Sequence, residues 1–154
     1  MSTPVHFTLN GAPRTAVPQD GQTLLDHLRH DAGLKATRLG CGAEQCGACH
    51  VLVDGRSTAS CSMPLWSLAG RGVTTLEGLG TPQAPHPVQA AFIAEQALQC
   101  GFCTSGMVIA AVDLLQREPH PDEDRVRAAL DRHLCRCGVH QRVVRAVLRA
   151  AQAA

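Results

Sequence analysis

Eight cysteines in a chain of 154 residues are the side chains best able to do chemistry, and they fall into two quartets. The first is Cys41, Cys46, Cys49 and Cys61, spaced C-x4-C-x2-C-x11-C. The second is Cys100, Cys103, Cys135 and Cys137, spaced C-x2-C-x31-C-x-C. Disulfide cross-links, zinc sites and iron–sulfur clusters all use thiols at this density. The opening stretch "MSTPVHFTLNG" lacks a basic start, an apolar run and a small-residue cleavage site, so no secretion signal is expected. A disulfide scaffold is therefore disfavoured, and metal or redox chemistry gains.

The first quartet has the plant-type [2Fe–2S] spacing, three close cysteines and a distant fourth. Zinc sites favour paired C-x2-C knuckles, and this quartet has only one. In "LGCGAEQCGACHVLVDG", Leu39 to Gly55, glycines alternate with the thiols. Gly40, Gly42 and Gly47 suit a loop that wraps a cluster and brings amide N–H groups to the sulfurs. Those donors matter because a cluster on four thiolates carries net negative charge, which is costly to bury. On spacing alone the second quartet fits zinc and [2Fe–2S] equally. Its two halves lie where helices are expected to begin, and free N–H groups at helix starts favour an anion.

The elements that must position these thiols divide the chain in two. "VHFTL" (Val5–Leu9) runs into Asn10-Gly11, a hairpin signal, with Arg14–Val17 as the return strand. A short helix is expected from Thr23 to Ala32. His50–Val53, the Asp54-Gly55 turn and Arg56–Ser60 read as a second hairpin, and Val73–Leu76 as a last strand. After a Gly/Pro-rich linker come four expected helices: Val88–Gln99, Thr104–Glu118, Glu123–Leu134 and Val139–Gln152. Pro119 stops the second and Asp122 caps the third. The fold class is thus α+β: a small mixed sheet with one helix over residues 1–78, a linker at 79–86, and a four-helix unit over 87–154.

Composition narrows the partners. A formal charge of +1, an aromatic content of 3% and no Lys/Arg block argue against nucleic acid and anionic membranes. No apolar run approaches the ~20 residues that span a bilayer, so a cytoplasmic chain without membrane insertion is expected. A Rieske site needs two histidine ligands per cluster. Each quartet already has four thiols, so His50 and His133 are assigned to the surface or to places beside the metal. "GCGAEQ" lacks the third glycine of a dinucleotide loop and there is no G-K-[ST], so no flavin or nicotinamide site is expected here. Trp66 is expected in the core or at an interface. Phe92, Ile93, Met107, Val108 and Leu115 are expected to pack between helices, and Glu44 and Glu77 to be solvated.

"CGAEQCGACHVLVDG", "QCGFCTSGM" and "LCRCGVHQRVVRAV" together closely resemble the small iron–sulfur subunit of the molybdenum hydroxylases, the xanthine dehydrogenase and aldehyde oxidase group. The likeness covers almost the whole chain. It implies a β-grasp, plant-ferredoxin-like N-terminal domain holding one [2Fe–2S] cluster through Cys41, Cys46, Cys49 and Cys61. It also implies a C-terminal four-helix domain holding a second through Cys100, Cys103, Cys135 and Cys137. Gln99 is implied to hydrogen-bond, and Cys137 to approach, a molybdopterin, as its cytosine dinucleotide, held by a large partner subunit. The implied reaction, RH + H2O → ROH with release of two electrons and two protons, takes place in that partner. The small subunit relays the electrons to a flavin subunit, a cytochrome or another acceptor. Departures are His50, where the family often has Thr, and "AEQ" before Cys46. "GVHQR" after Cys137 resembles the isoquinoline-type members, which points to an N-heterocycle or aldehyde as substrate. The alternatives are a zinc-stabilised interaction module and a free-standing ferredoxin. A shuttle has no need of the helical half.

Overall fold

The computed structural model describes residues 3–153. Strands β1 (Val5–Leu9) and β2 (Ala12–Ala16) pair antiparallel around Asn10-Gly11, both residues in the left-handed region at φ 51° and 79°. Strands β3 (His50–Val53) and β4 (Arg56–Ala59) form the second hairpin, and β5 (Gly72–Thr74) joins the two in the order β2-β1-β5-β3-β4. β5 runs parallel to β1 and antiparallel to β3, so the sheet is mixed. In β1, Val5, Phe7 and Leu9 face inward while the residues between them face solvent.

β2 starts earlier than the expected Arg14, because a two-residue turn puts Ala12 directly opposite Leu9. Pro13 is tolerated there since β2 is an edge strand. The expected helix from Thr23 to Ala32 is instead α1 (Leu24–Asp26) followed by a π-turn over His27–Asp31. Thr23 and Asp26 form a reciprocal capping box at its start. The widened turn, closed by Ala32 N–H donating to the His27 carbonyl at 2.9 Å, buries both His27 and Leu28. The last strand stops at Thr74, and Leu76–Gly78 forms a 3-10 turn.

The helices are α2 (Pro87–Ala94), α3 (Thr104–Arg117), α4 (Glu123–Leu130) and α5 (His140–Gln152). Asp122 caps α4, its carboxylate accepting from the Arg125 amide at 2.8 Å. Two helices are shorter than expected, and both losses feed a cysteine loop. α2 ends before Gln96, which takes φ 49°, freeing the chain to build the approach to Cys100. α4 ends at Leu130, and the Leu134 amide donates to the Cys46 carbonyl at 3.0 Å instead of continuing the helix.

One core lies under the sheet, where Phe7, Leu24, Leu28, Val51 and Leu65 meet. The other lies among the helices around Met107, Ile109, Leu130, Val143 and Val147. β3 serves both. Val51 and Val53 face the sheet core, and Leu52, pointing the other way, packs into the helical core. That is why "HVLV" is apolar on both faces. Asp113, buried on α3, is paired with Arg117 at 3.0 Å and reached from β4 by Arg56 at 3.4 Å. Trp66 is 67% exposed and Ile93 66% exposed, so neither packs in a core. Trp66 sits in a surface 3-10 turn, with Leu65 and Leu68 as its buried residues. Glu44 and Glu77 are exposed yet engaged: Ser62 donates to Glu44, and the Ala36 amide donates to Glu77 at 2.9 Å. Among the described residues no helix is long and apolar enough to cross a membrane.

Candidate metal centres

The loop from Gly40 to Cys49 folds its backbone amides onto its own sulfurs. The amides of Ala43 and Gln45 donate to Cys41 Sγ at 3.3 and 3.2 Å, and the Cys41 amide donates to Cys46 Sγ at 3.3 Å. Gly40 must stay bare for this, since a Cβ there would lie 2.5 Å from Cys46 Sγ. The Ala43 and Gln45 amides pull the Cys41 thiol down to about 7. Cys49 is the opposite case. Burial pushes its thiol up to about 11. The Cys49 carbonyl accepts from the Ser60 hydroxyl at 2.6 Å, and that bond brings Cys61, two residues past the second hairpin, back to the loop. Cys41 lies beside Cys46, and Cys49 beside Cys61.

The second quartet repeats the arrangement with helix ends in place of a hairpin. Cys103 stands just before α3, and Cys135 and Cys137 lie in the turn before α5. Cys100 lies beside Cys137 and Cys103 beside Cys135, with Cys135 also near Cys100 and Cys137. The Phe102 amide donates to Cys100 Sγ at 3.5 Å and lowers that thiol. Burial pushes Cys103 up to about 12. Burial also works to raise Cys135, but the amides of Val139 and Cys137 outweigh it and the thiol falls. Among the described residues, no three His, Cys, Asp or Glu side chains gather about one point as a single ion requires.

Gln99 and Cys137 come together at the surface, the Gln99 amide nitrogen donating to the Cys137 carbonyl at 2.9 Å. Leu98, next to Gln99, is 45% exposed, and Phe102 and Leu134, at 44% and 64%, line one hollow with Cys100, Cys103 and Cys135. Leu39 is exposed beside the first loop, and Arg38 lies over the Phe102 ring at 5.4 Å. The two histidines near the cysteines are not surface residues. His133 is 3% exposed and packs edge-on against half-buried His50, ring centres 4.8 Å apart. Sequence reasoning missed this contact. Each histidine lies close to a thiol in the sequence, but their meeting depends on how α3 packs on β3 and β4 and α4 packs on α3.

Two family models match the chain: "2Fe-2S iron-sulfur cluster binding domain" over residues 7–71 and "[2Fe-2S] binding domain" over residues 75–148. One nicotinate dehydrogenase subunit of Pseudomonas putida is 48% identical over 152 residues, covering 99% of this chain and 97% of that one. The alpha subunit of isoquinoline 1-oxidoreductase from Brevundimonas diminuta is 45% identical over 152 residues, covering 97% of this chain and 99% of that one. Among solved structures, quinoline 2-oxidoreductase from Pseudomonas putida 86 superimposes with a TM-score of 0.91 at 35% identity, over 98% of this chain and 94% of that one. With thiols in two groups of four, a cluster-binding model over each half and end-to-end relatives, the chain belongs to the small iron–sulfur subunits of the molybdenum hydroxylase family.

Proposed function

We propose that this chain carries electrons singly from a molybdenum centre in a large partner subunit, through two [2Fe–2S] clusters, to an external acceptor. Cys41, Cys46, Cys49 and Cys61 would hold the first cluster, and Cys100, Cys103, Cys135 and Cys137 the second. The observation that carries this reading is that the chain's own backbone N–H groups are folded onto sulfurs of both quartets, as a negatively charged cluster on thiolates requires. When bound, the clusters supply one-electron carriers. The remaining work falls to this chain's own residues. The amides of Ala43, Gln45 and Phe102 hold negative charge at Cys41 and Cys100, and burial keeps water from Cys49 and Cys103.

The finer assignments follow the same reading. The sheet unit, 1–78, is a β-grasp ferredoxin-like domain, and beyond the linker at 79–86 the helical unit, 87–154, is a four-helix cluster domain. Gln99 and Cys137 contact a molybdopterin, as the cytosine dinucleotide, held by the large subunit. The bond between exposed Gln99 and half-buried Cys137, with exposed Leu98 next to Gln99, supports a covered face there. The relatives' names, nicotinate, isoquinoline and quinoline among them, support an N-heterocycle as substrate, with an aldehyde as the second reading. A flavin subunit or a cytochrome is the proposed acceptor, and the complex is placed in the cytoplasm.

Purification with its co-purifying chains tests the proposal. The expected result is a brown complex containing molybdenum, with about four iron and four sulfide per small subunit. A colourless chain with two zinc ions overturns it. Cys46→Ser is expected to abolish one of two cluster EPR signals and leave the other. Loss of both with the fold intact breaks the division into two quartets. Gln99→Ala is expected to lower pterin retention, and unchanged retention and turnover would remove its assigned role.

A further inference from the structure

We infer that Arg38, a residue of the sheet unit, makes the second cluster easier to reduce by holding an unneutralised positive charge beside it. The inference rests on reading the second quartet as [2Fe–2S] ligands. Arg38 stands three residues before Cys41, and its amide donates to the Ala48 carbonyl at 3.2 Å, which ties its backbone to the first cysteine loop. Its side chain reaches the second loop. The guanidinium lies over the Phe102 ring, 5.4 Å from the ring centre, and Phe102 stands between Cys100 and Cys103 in the chain. The Phe102 amide in turn donates to Cys100 Sγ at 3.5 Å. The Cys100 thiol, lowered chiefly by that amide, is lowered also by the charge on Arg38. Gly106 on α3 closes on the Gly47 carbonyl so tightly that a Cβ there would overlap it. The two loops, with Arg38 reaching from one to the other, are therefore pressed together.

No carboxylate cancels this charge. Arg38 lines a surface hollow of about 390 Å³ with Arg29, Lys35, Leu39 and Phe102, three cations and no acid. Among the described residues no ion pair involves Arg29, Lys35 or Arg38. Arg29 donates to the Lys35 and Thr37 carbonyls at 3.0 and 2.7 Å, and Lys35 donates to the Arg29 carbonyl. These bonds brace the turn that carries Arg38, and their neutral acceptors leave both charges in place. A cluster on four thiolates is already negative, and each electron it accepts adds one more negative charge. A cation fixed nearby favours the more negative form, so the reduction potential rises. Arg38 is half-buried, so water and salt screen part of the effect, while the ring beneath keeps water from one face of the guanidinium. An electron arriving from the partner's molybdenum centre is thus drawn to the second quartet by a residue that the helical unit does not itself supply.

Redox titration of the intact complex, followed by EPR, reads the midpoint potential of each cluster. Arg38→Gln removes the charge and keeps a flat polar group over the ring. Arg38→Met removes it and keeps an unbranched apolar stem there, so either variant serves if the other fails to assemble. Both are expected to shift the second cluster's midpoint potential downward, and the first cluster's by less. Arg38→Lys keeps the charge and is expected to stay near the wild-type potential. An unmoved second-cluster potential in the Gln or Met complex overturns the inference. So does an equal fall in the Lys complex, which would assign the effect to packing on Phe102 rather than to charge. A first-cluster shift as large as the second's overturns the placement of the charge beside the second quartet. Wild-type complex without cluster signals sinks the cluster reading itself, whereas full wild-type signals with an unmoved potential in the variants sink this inference alone.

Discussion

Cys41 and Cys49 share one loop but sit in opposite electrical surroundings. Two amides point at Cys41 Sγ and draw its thiol down to about 7, whereas burial takes Cys49 up to about 11. Because the thiolate is the attacking form, the sign of the pH dependence follows. In the metal-free chain, alkylation of Cys41 should rise as pH passes through about 7, while Cys49 and Cys103, the latter at about 12, stay protonated and lag. Peptide mass spectrometry after short iodoacetamide pulses at stepped pH reads the order directly. Modification of Cys49 before Cys41 would contradict the amide cradle. The same donors that lower Cys41 are those a negatively charged cluster requires, so proton loss and metal uptake draw on one feature of the backbone.

At the level of elements, caps and shared strands set stability. Asp122 holds the first turn of α4 through the Arg125 amide at 2.8 Å. Asp122→Ala should cost about 1 kcal/mol, seen as a lowered denaturation midpoint with both cluster signals intact. Leu52 is 4% exposed and is the β3 side chain that enters the helical core. Leu52→Ala should cost about 2–5 kcal/mol and should weaken sheet and helices together, because the strand carrying it also lines the sheet core. Two separate unfolding steps by circular dichroism would argue against that coupling. The sequence made these elements legible wherever local rules act: Asn10-Gly11 and Asp54-Gly55 as turns, Asp122 as a cap. The cysteine quartets were readable for the same reason, since spacing is local information. Where tertiary demands won, the local pattern misled. The apolar rhythm of "EDRVRAALDRHL" continues to Leu134, but the helix stops at Leu130 because the Leu134 amide is taken by the Cys46 carbonyl. The contact between His50 and His133 was invisible because it joins elements far apart in the chain.

Taken whole, the molecule places its two thiol quartets on either side of a tight junction and leaves the apolar rim of the second uncovered. Phe102 and Leu134 are exposed and line one hollow with Cys100, Cys103 and Cys135, and Leu98 is exposed next to Gln99, while the buried apolar residues are spent on the two cores. A rim of this kind around an electron-transfer site is what a larger subunit would cover. Leu98→Asp and Leu134→Asp should therefore weaken assembly with the large subunit by about tenfold or more, as loss of a central apolar contact commonly does. Neither side chain takes part in a hydrogen bond to a cysteine sulfur, since those come from the amides of Cys41, Ala43, Gln45 and Phe102. The bond from position 134 to Cys46 is a backbone bond and survives the change. Iron content and both EPR signals should accordingly stay at wild-type levels in the isolated small subunit. Val17→Asp, at a 60%-exposed apolar residue just past edge strand β2, serves as the control and should leave assembly unchanged. Equal weakening by all three variants would mean that surface charge alone governs assembly. Selective weakening by the two rim variants places the partner over Gln99 and Cys137.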